Sequence, residues 1–297
     1  MRILFIAPSR IGDAVLSTGL IDHLLRRHQE ARITVVAGPV SADVFTRMPN
    51  LARLVVIEKH RYDLHWLRLW AMAAGQRWDL VVDIRGSGLA WFLRARRRAI
   101  MRIGQGPKIA QLGRILGLEP PPLPVVWTGP EDRARAAGLL PPGLPIIALG
   151  PTANWRGKIW PPDRFAALFH RLIAGPLGPA RVAILAGPGA EEQKLAAPLR
   201  ASLPDAIDLS GRLSLPEAAA CLARATLFVG NDSGLMHIAA AAGTPTIGLF
   251  GPTPADEYAP AGRAAAAVRS PTGRMEDLTV AAAADAACAL LRLSSAA

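Results

Sequence analysis

The stretch "GNDSGLMHIAAAAGTPTIGLFGPT", residues 230–253, decides the fold of this chain. It follows the apolar run 227–229, which is typical of a buried strand, and it leads into a small-residue helix predicted over 235–242. The turn between strand and helix contains an acid, a hydroxyl and a glycine: Asp232, Ser233 and Gly234. The first turn of a helix has free N–H groups and a positive dipole end, so this turn is suited to bind phosphate. An N-cap role for Asp232 or Ser233 explains the same residues without a ligand.

The same strand–turn–helix unit recurs along nearly the whole chain. Short apolar runs alternate with longer amphipathic segments, which is typical of parallel sheets with helices on both faces. The fold class is therefore predicted to be α/β. The predicted helices include 14–28, 162–173, 191–201, 216–223 and an alanine-rich tail over 275–293. The predicted strands cover 3–7, 33–37, 54–57, 80–83, 100–103, 146–149, 182–186, 207–209, 227–229 and 246–250.

A proline-rich segment divides this α/β pattern into two. Prolines within 120–124 and 141–145 prevent a regular helix there and bracket a short helix predicted over 131–138, so the domain boundary is predicted near residue 142. The chain of 297 residues is long enough for two domains, 1–142 and 143–297, each with its own core. The helix over 275–293 is a candidate to pack back on the first domain. Ligands of open α/β sheets bind at the carboxyl ends of the strands, so we expect a central cleft that both sheets face.

The composition excludes several classes of protein. No apolar run reaches the roughly 18 residues of a membrane span, and the first residues are too strand-like for a signal peptide. Two cysteines, Cys221 and Cys288, argue against a disulfide framework or a zinc site and suit a reducing cytoplasm. The sequence has neither an Asp-x-Asp triplet nor a cluster of His and Cys, so no metal is expected.

Positive charge is concentrated in the first half of the chain. Residues 1–142 contain 21 Lys and Arg against 11 Asp and Glu, whereas residues 143–297 contain 13 against 12. Such an excess of positive charge indicates an anionic partner for that half, such as nucleic acid, anionic lipid headgroups or a phosphorylated glycan. A solvated, arginine-rich surface without a partner is the alternative. The densest run, 91–108, holds Arg94, Arg96, Arg97, Arg98, Arg102 and Lys108.

Two more segments of the second half follow a predicted strand and lead into a helix. "GPTANWRGKIWPPDRFAAL", 150–168, presents polar side chains in its loop, and its lysine is a suitable point charge for a diphosphate. Trp160 in that loop is interpreted as a structural plug. In "AGPGAEEQK", 186–194, Glu191 is either a helix-start acid or an acceptor for a ribose hydroxyl. Three such turns in one half favour a nucleotide-diphosphate pocket. The polar residues of the first loop are Thr152, Asn154, Arg156 and Lys158.

The first half offers one carboxylate in a comparable place. In "APSRIGDAVLSTGLIDHLLRR", 7–27, a predicted strand is followed by a loop that delivers Asp13 at the start of a helix. A GxGxxG fingerprint is absent, so this is not a standard dinucleotide turn. Asp13 is either an N-cap or a general base at the edge of the cleft.

Three motifs in order, "IGDAVLSTGLI", "GKIWPPDRFA" and "NDSGLMHIAAAAGTPTIGLFGPT", resemble glycosyltransferase family 9, the lipopolysaccharide heptosyltransferases. The resemblance covers nearly the full chain. It implies a GT-B fold with two Rossmann-like domains, the first for the acceptor and the second for an ADP-heptose donor. It also implies an inverting, metal-independent transfer to the lipopolysaccharide inner core. The enzyme would be cytoplasmic and peripheral on the inner membrane.

The resemblance implies a role for each matching position. Asp13 matches the general base, and Lys158 matches the lysine that contacts the donor phosphates. In the chemistry, Lys158 and the N-terminus of the helix after Gly234 would do the work that a metal does in other transferases. The other donor-site positions are Thr152, Asn154, Glu191 near the ribose, Asp232 near the sugar, and Ser233, Gly234 and Leu235 at the phosphates.

Some positions depart from the family pattern or have a second interpretation. Ser233 replaces a frequent threonine but keeps the hydroxyl, and Asn154 stands where threonines are common. His237 matches a recurrent histidine and is interpreted as a helix-packing residue. The arginines at 94, 96, 97, 98 and 102 are assigned to the acidic acceptor or the membrane surface. Core packing or a membrane-facing surface explains the nearby aromatic residues, Trp66, Trp70, Trp91 and Phe92.

Other functions remain compatible with the residues alone. A related glycosyltransferase would use another nucleotide sugar, and a GT-B-type epimerase or hydrolase would consume donor without an acceptor. A basic nucleic-acid-binding protein is disfavoured because no zinc-finger or RNA-recognition motif is found and aromatics are not interleaved with the basic run. An inactive scaffold is disfavoured because Asp13 and Lys158 are both present.

Overall fold

The computed structural model describes residues 1–58, 64–102, 104–175 and 177–294. They fold into two α/β units, Met1–Trp127 and Thr128–Ala297. No helix within those described ranges is both long enough and apolar enough to cross a membrane.

The division between the units falls ahead of the boundary expected near residue 142. The reason is helix α4 (Pro130–Leu139), which packs on helix α7 (Leu215–Leu222) of the second unit. In that contact the Arg135 guanidinium lies 2.8 Å from the Glu217 carboxylate. The short helix between the prolines therefore belongs to the second unit.

The first unit is a parallel sheet with helices. Its strands are β1 (Arg2–Ile6), β2 (Arg32–Ala37), β3 (Leu51–Val56), β4 (Trp78–Asp83) and β5 (Ala95–Ile100). Its helices are α1 (Ile11–Arg27), α2 (Leu64–Ala74) and α3 (Lys108–Ile115). The strand order is β3-β2-β1-β4-β5, so the order reverses at β1. The three middle strands are largely buried, as expected for parallel strands covered on both faces.

The second unit repeats this plan with a six-stranded parallel sheet. Its strands are β6 (Ile146–Gly150), β7 (Arg181–Ile184), β8 (Ile207–Asp208), β9 (Leu227–Asn231), β10 (Thr246–Phe250) and β11 (Ala265–Arg269). Besides α4 and α7, its helices are α5 (Pro162–Ile173), α6 (Ala190–Ser202), α8 (Gly234–Ala241), α9 (Ala255–Tyr258) and α10 (Val280–Ser294). The strand order is β11-β10-β9-β6-β7-β8, which places β6 and β9 side by side in the middle.

Trp160 anchors the core of the second unit. Its side chain is fully buried, its ring meets Phe165 edge-on at 5.0 Å, and its Nε1–H donates to the Leu278 carbonyl at 2.8 Å. This confirms the structural role predicted for Trp160. The same core includes Ala283 and Ala287 of α10, which packs on α5, β10 and β11.

Two predicted elements differ clearly from the structure, and one strand was not predicted. The strand predicted over 100–103 is wrong, because β5 ends at Ile100, and Ile103 lies outside the described residues. The tail is not one helix: a 3-10 turn at Met275–Asp277 precedes α10, which starts near Thr279, whose Oγ1 accepts from the Ala282 N–H at 3.1 Å. Strand β11 was not predicted, because its sequence AAAVR lacks the usual strand formers.

Candidate functional site

Two loops at the carboxyl edge of the second sheet bring Lys158 and Asp232 into an ion pair. Lys158 ends the 3-10 helix Arg156–Lys158 after β6, and Asp232 follows β9. Because β6 and β9 are neighbours, their C-terminal loops meet. The distance from Lys158 Nζ to Asp232 Oδ2 is 2.6 Å, and the side chains are only 18% and 8% exposed. A charge-assisted hydrogen bond with so little water around it is stronger than a surface ion pair.

The end of β9, the turn after it and the start of α8 also hold buried polar atoms with no hydrogen-bond partner in the part of the chain that the structure describes. They include Asn231 Nδ2, Ser233 Oγ and His237 Nδ1. Asn231 is oriented through its Oδ1, which accepts from the Trp160 backbone N–H at 3.0 Å. Ser233 is the N-cap of α8, yet its side chain makes no capping hydrogen bond. Buried polar groups are nearly always hydrogen-bonded, so this group of atoms is suited to a polar ligand.

His237 lies close enough to the ion pair to sense its charges. Burial lowers the pKa of His237 to about 4, while the Asp232 carboxylate acts in the opposite direction and Lys158 lowers it further. The imidazole is therefore neutral near neutral pH. The sequence predicts that His237 is a helix-packing residue, and it is buried as expected. Its pKa also responds to the charges of Asp232 and Lys158.

A pair of glycines lets the two loops approach each other. Gly150 at the end of β6 and Gly230 in β9 are partners in the strand register. A Cβ on Gly230 would lie 2.6 Å from the Phe228 ring and 3.0 Å from the Gly150 carbonyl oxygen. Side chains at these two positions would push apart the strand ends that carry Asp232 and the loop to Lys158.

A third loop contributes Glu192 rather than Glu191. Glu192 Oε2 accepts from the Gly187 backbone N–H at 2.6 Å and from Thr152 Oγ1 at 3.4 Å. Glu191 is exposed and pairs with Lys194 at 2.9 Å. The third residue after an N-cap points back to the preceding turn, which is the signal that would have identified Glu192 after Gly189. Thr152 is buried beside it.

The other predicted donor residues fall into two groups. Gly234 and Leu235 form the first turn of α8 and are half-buried, so their N–H groups are at the helix end expected to meet phosphate. Asn154 and Arg156 are exposed on the loop after β6. The structure thus joins Lys158 directly to Asp232 and leaves Asn154 on the surface.

In the first unit, Asp13 occupies the third position of α1, at the carboxyl edge of β1. The N-cap of α1 is Arg10, so the N-cap alternative for Asp13 is wrong. Asp13 is half-buried, and an acid in the first turn of a helix interacts favourably with the helix dipole. Ligands bind open α/β sheets where the strand order reverses, and here the order reverses at β1.

The end of β4 and the loop that follows it lie at the same edge of the sheet, and their polar residues were not predicted as site residues from the sequence. Asp83 is fully buried and accepts from the Ser87 N–H at 3.0 Å, the Ser87 hydroxyl at 2.8 Å and the Arg85 N–H at 3.0 Å. Burial raises the pKa of Asp83, and these hydrogen bonds counteract it. The Arg85 guanidinium donates to the Ser9 hydroxyl, in the loop before α1. The segment "DIRGS" has the same strand-end pattern as the loops that were recognised.

The predicted basic residues have different roles in the structure. Arg94, Arg96, Arg97 and Arg102 are exposed. The Arg98 guanidinium instead donates to the carbonyls of Ala90 at 2.8 Å, Leu93 at 2.7 Å and Ala95 at 3.1 Å. It ties a 3-10 helix to the start of β5, so Arg98 also stabilises the local structure.

An open depression of about 440 Å³ lies elsewhere in the second unit. It is lined by the proline-rich segment Leu140–Ile146 and by Arg224 and Thr226, at the start of β6 and before β9. This is the amino-terminal edge of the sheet, opposite the ion pair. It holds none of the predicted site residues, and we do not assign it a role in catalysis.

The second-unit site offers a cation, a helix N-terminus and several polar atoms that lack a partner among the described residues, beside one carboxylate. Such a set stabilises a diphosphate and leaves the carboxylate to accept from hydroxyl groups. Across the described residues there is no group of three His, Cys, Asp or Glu arranged to hold a metal ion.

Comparisons with known proteins agree with this chemistry. The family profile described as "Glycosyltransferase family 9 (heptosyltransferase)" matches residues 111–286. Lipooligosaccharide heptosyltransferase 2 of Haemophilus influenzae is 36% identical over 108 residues, covering 35% of this chain and 30% of that protein. The Haemophilus ducreyi protein of the same name is 25% identical over 313 residues, covering 91% and 88%. The structure of Escherichia coli ADP-heptose LPS heptosyltransferase II matches with a TM-score of 0.78 at 21% identity, covering 99% of this chain and 100% of that one. The last likeness confirms the expected GT-B type of α/β fold with two Rossmann-like sheets.

Proposed function

The chain belongs to glycosyltransferase family 9, the heptosyltransferase family, and from this premise we propose that it moves a heptose from ADP-heptose to the lipopolysaccharide inner core. The transfer proceeds with inversion and needs no metal ion. Glycosyltransferase activity follows from the family itself. The donor, the stereochemistry and the metal independence are the proposal.

The observation that carries the proposal is the ion pair between Lys158 and Asp232 beside the N-terminus of α8. Several donors are offered to one diphosphate: the half-buried lysine, the N–H groups of Gly234 and Leu235 in the first turn of α8, and the Ser233 hydroxyl, which has no hydrogen-bond partner among the described residues. Asp232 holds Lys158 in place and offers a carboxylate to sugar hydroxyls. The choice of ADP-heptose over other nucleotide sugars is supported by the family and by the similarity to E. coli ADP-heptose LPS heptosyltransferase II.

The reaction can be written with these residues. Asp13 removes the proton of the acceptor hydroxyl as its oxygen attacks the anomeric carbon. The bond from that carbon to the diphosphate oxygen breaks, and the electron pair leaves with ADP. Lys158 and the N-terminus of α8 stabilise the negative charge that develops on the leaving group. Attack from the side opposite the leaving group inverts the anomeric configuration.

The first unit is proposed to bind the acceptor. Its charge excess, 21 basic against 11 acidic residues over 1–142, suits an acidic, phosphorylated glycolipid. The arginines at 94, 96, 97 and 102 are exposed and available for this contact. An enzyme with that acceptor would work in the cytoplasm, at the inner face of the inner membrane.

A donor screen tests the substrate assignment. ADP-, UDP- and GDP-sugars are compared by thermal shift, because a ligand that binds only the folded state raises the melting temperature by mass action. We expect ADP-heptose to give the largest shift in the wild type. Lys158→Gln should reduce it, because the variant removes the charge at the diphosphate. A larger shift with a UDP- or GDP-sugar would overturn the ADP-heptose assignment.

Activity of Asp13→Asn tests the mechanism. The variant keeps the shape of the side chain but cannot take a proton, so turnover should fall by about 10²–10⁴-fold while ADP affinity is retained. Product analysis by NMR should show the inverted anomer in the wild type. Donor consumption without an acceptor would instead favour an epimerase or hydrolase, and equal loss of turnover and ADP binding would remove Asp13 from the role of base.

A further inference from the structure

Four large apolar side chains lie exposed together on the first unit. Leu67 and Trp70 on α2 are 62% and 44% exposed, and Trp91 and Phe92 on the 3-10 helix Leu89–Phe92 are 66% and 74% exposed. We call these four residues the aromatic ridge. Single exposed apolar residues are ordinary, but a contiguous group of them marks an interaction site.

The aromatic ridge is held together by defined contacts. The Trp70 Nε1–H donates to the Phe92 carbonyl at 3.2 Å, which joins α2 to the 3-10 helix. Leu67 and Trp70 are three residues apart and share one face of α2. The Arg98 guanidinium stacks 5.9 Å from the Trp91 ring centre while it binds backbone carbonyls. The exposed rings are therefore presented by a fixed scaffold.

Positive charge flanks the aromatic ridge on the same face of the sheet. Arg98 is the register partner of Val81, and Val81 packs in one core cluster with residues of α2 and of the 3-10 helix. Side chains alternate along a strand, so Arg96 shares that face and Arg97, the partner of Leu80, lies on the other. The whole segment 84–118 contains no acidic residue.

We propose that the aromatic ridge and the flanking Arg96 form a docking surface for a bilayer with anionic headgroups. Tryptophan and phenylalanine side chains lower their free energy by entering the membrane–water interface. There the tryptophan N–H stays at the level of the polar headgroups. Arginine is attracted to anionic lipid over a short range that salt screens. The inference rests on the proposed function in one respect: a glycolipid acceptor gives the enzyme a reason to be at a membrane.

Removing the aromatic side chains tests the apolar part. The full chain is co-sedimented with phosphatidylglycerol vesicles and with phosphatidylcholine vesicles, and tryptophan fluorescence is recorded. The double variant Trp91→Ser, Phe92→Ser should bind phosphatidylglycerol vesicles about ten-fold more weakly or worse, and should lose the fluorescence blue shift that we expect of the wild type on binding. Leu144→Ser is the matched control, because Leu144 is 51% exposed but lies in the second unit.

Two neighbouring arginines test the electrostatic part. Arg96→Ala should weaken binding to phosphatidylglycerol vesicles about five-fold at low salt, and less at high salt. Arg97→Ala removes the same charge from the other face of β5 and should have the smaller effect. Thermal unfolding of each variant checks that the fold is retained. We expect it to be retained because all the substituted side chains are exposed.

Several outcomes would overturn the docking surface. These are unchanged vesicle binding by the double aromatic variant, equal effects of the two arginine variants, and a wild type that binds duplex DNA but not phosphatidylglycerol vesicles. The test is separate from catalysis, because vesicle binding needs no donor or acceptor. If the wild type binds vesicles as expected but transfers no sugar, the proposed function fails and the docking surface stands.

Discussion

At the scale of single residues, Glu191 and Glu192 are one position apart and lie in different surroundings. Glu192 accepts from the Gly187 N–H and from Thr152, at the edge of the sheet where Lys158 lies, whereas Glu191 is exposed and pairs with Lys194. Glu192→Ala leaves a partly buried N–H without its acceptor and should weaken ADP binding about ten-fold. Glu191→Ala is the control and should bind ADP like the wild type. Isothermal titration of both variants decides between them, and the opposite ranking would restore Glu191 to the ribose.

His237 gives the protein a defined sensitivity to acid. Its pKa is lowered by burial from 6.5 to about 4, so between these values the unfolded state binds a proton that the folded state excludes. The contribution of His237 to stability is therefore complete above pH 6.5 and is lost as the pH falls towards 4. Melting temperatures across this range should decline less in His237→Gln than in the wild type. Parallel declines would mean that His237 does not titrate in this way.

The residues of the candidate site were predictable where the chain marks them with a turn. Lys158 and Asp232 both follow apolar runs, and the structure brings them within hydrogen-bonding distance. The helix N-cap at Gly189 distinguishes Glu192 from Glu191, because Glu192 is the third residue after it, and the prediction did not use this spacing. Asp83 and Arg85 were not predicted as site residues, because Asp83 was interpreted only as the last residue of a strand. The role of each residue in transfer stays a prediction.

At the scale of elements, the junction between β6 and β9 depends on glycine. Gly230→Ala would place a methyl group 2.6 Å from the fully buried Phe228 ring, and this overpacking should cost about 1–3 kcal/mol of unfolding free energy. Gly138→Ala is a suitable control, because a Cβ there meets nothing within 4 Å in helix α4 and alanine favours a helix. Urea unfolding of both variants tests the contrast. Equal stability of the two would show that the strands move apart freely.

Most helices and strands were predictable because the spacing of their apolar residues matches the element and because glycine-containing turns mark their ends. Helix α5 was predicted over its observed length, and strand β10 likewise. The prediction placed strand β5 at 100–103 instead of at Ala95–Ile100. Its sequence, ARRRAI, contains three consecutive arginines, which obscure the alternation of apolar and polar residues typical of an edge strand. Strand β11 is made of small side chains whose strand conformation is imposed by pairing with β10.

At the scale of the whole molecule, catalysis is predicted to continue without a divalent cation. The positive charge required at the leaving diphosphate comes from Lys158 and the N-terminus of α8 in the proposed reaction. Transfer measured in EDTA should match transfer with added magnesium within about two-fold, because no step of the proposed reaction uses the cation. Activity lost in EDTA and restored by a divalent ion would contradict the mechanism. A heat-treated sample provides the background rate.

The division into two α/β units follows from the alternation of strands and helices, which the sequence displays, whereas the strand orders come from the structure alone. The position of the division was less predictable, because the proline-rich segment contains a helix, α4, whose Arg135 pairs with Glu217 of α7. Prolines mark where regular structure stops, but they do not tell which unit a short helix between them will join.

The carbonyl of Leu278 has a practical consequence for anyone who shortens this chain. It accepts from the Trp160 indole N–H at 2.8 Å and from the Arg164 guanidinium at 2.7 Å, and the Trp160 backbone N–H in turn orients Asn231. A truncation before Leu278 would remove the acceptor of the Trp160 indole, next to the loop that carries Lys158, and of the Arg164 guanidinium on α5. Expression plasmids for the second unit alone should therefore extend through α10, and an affinity tag is better fused after that helix than in place of it.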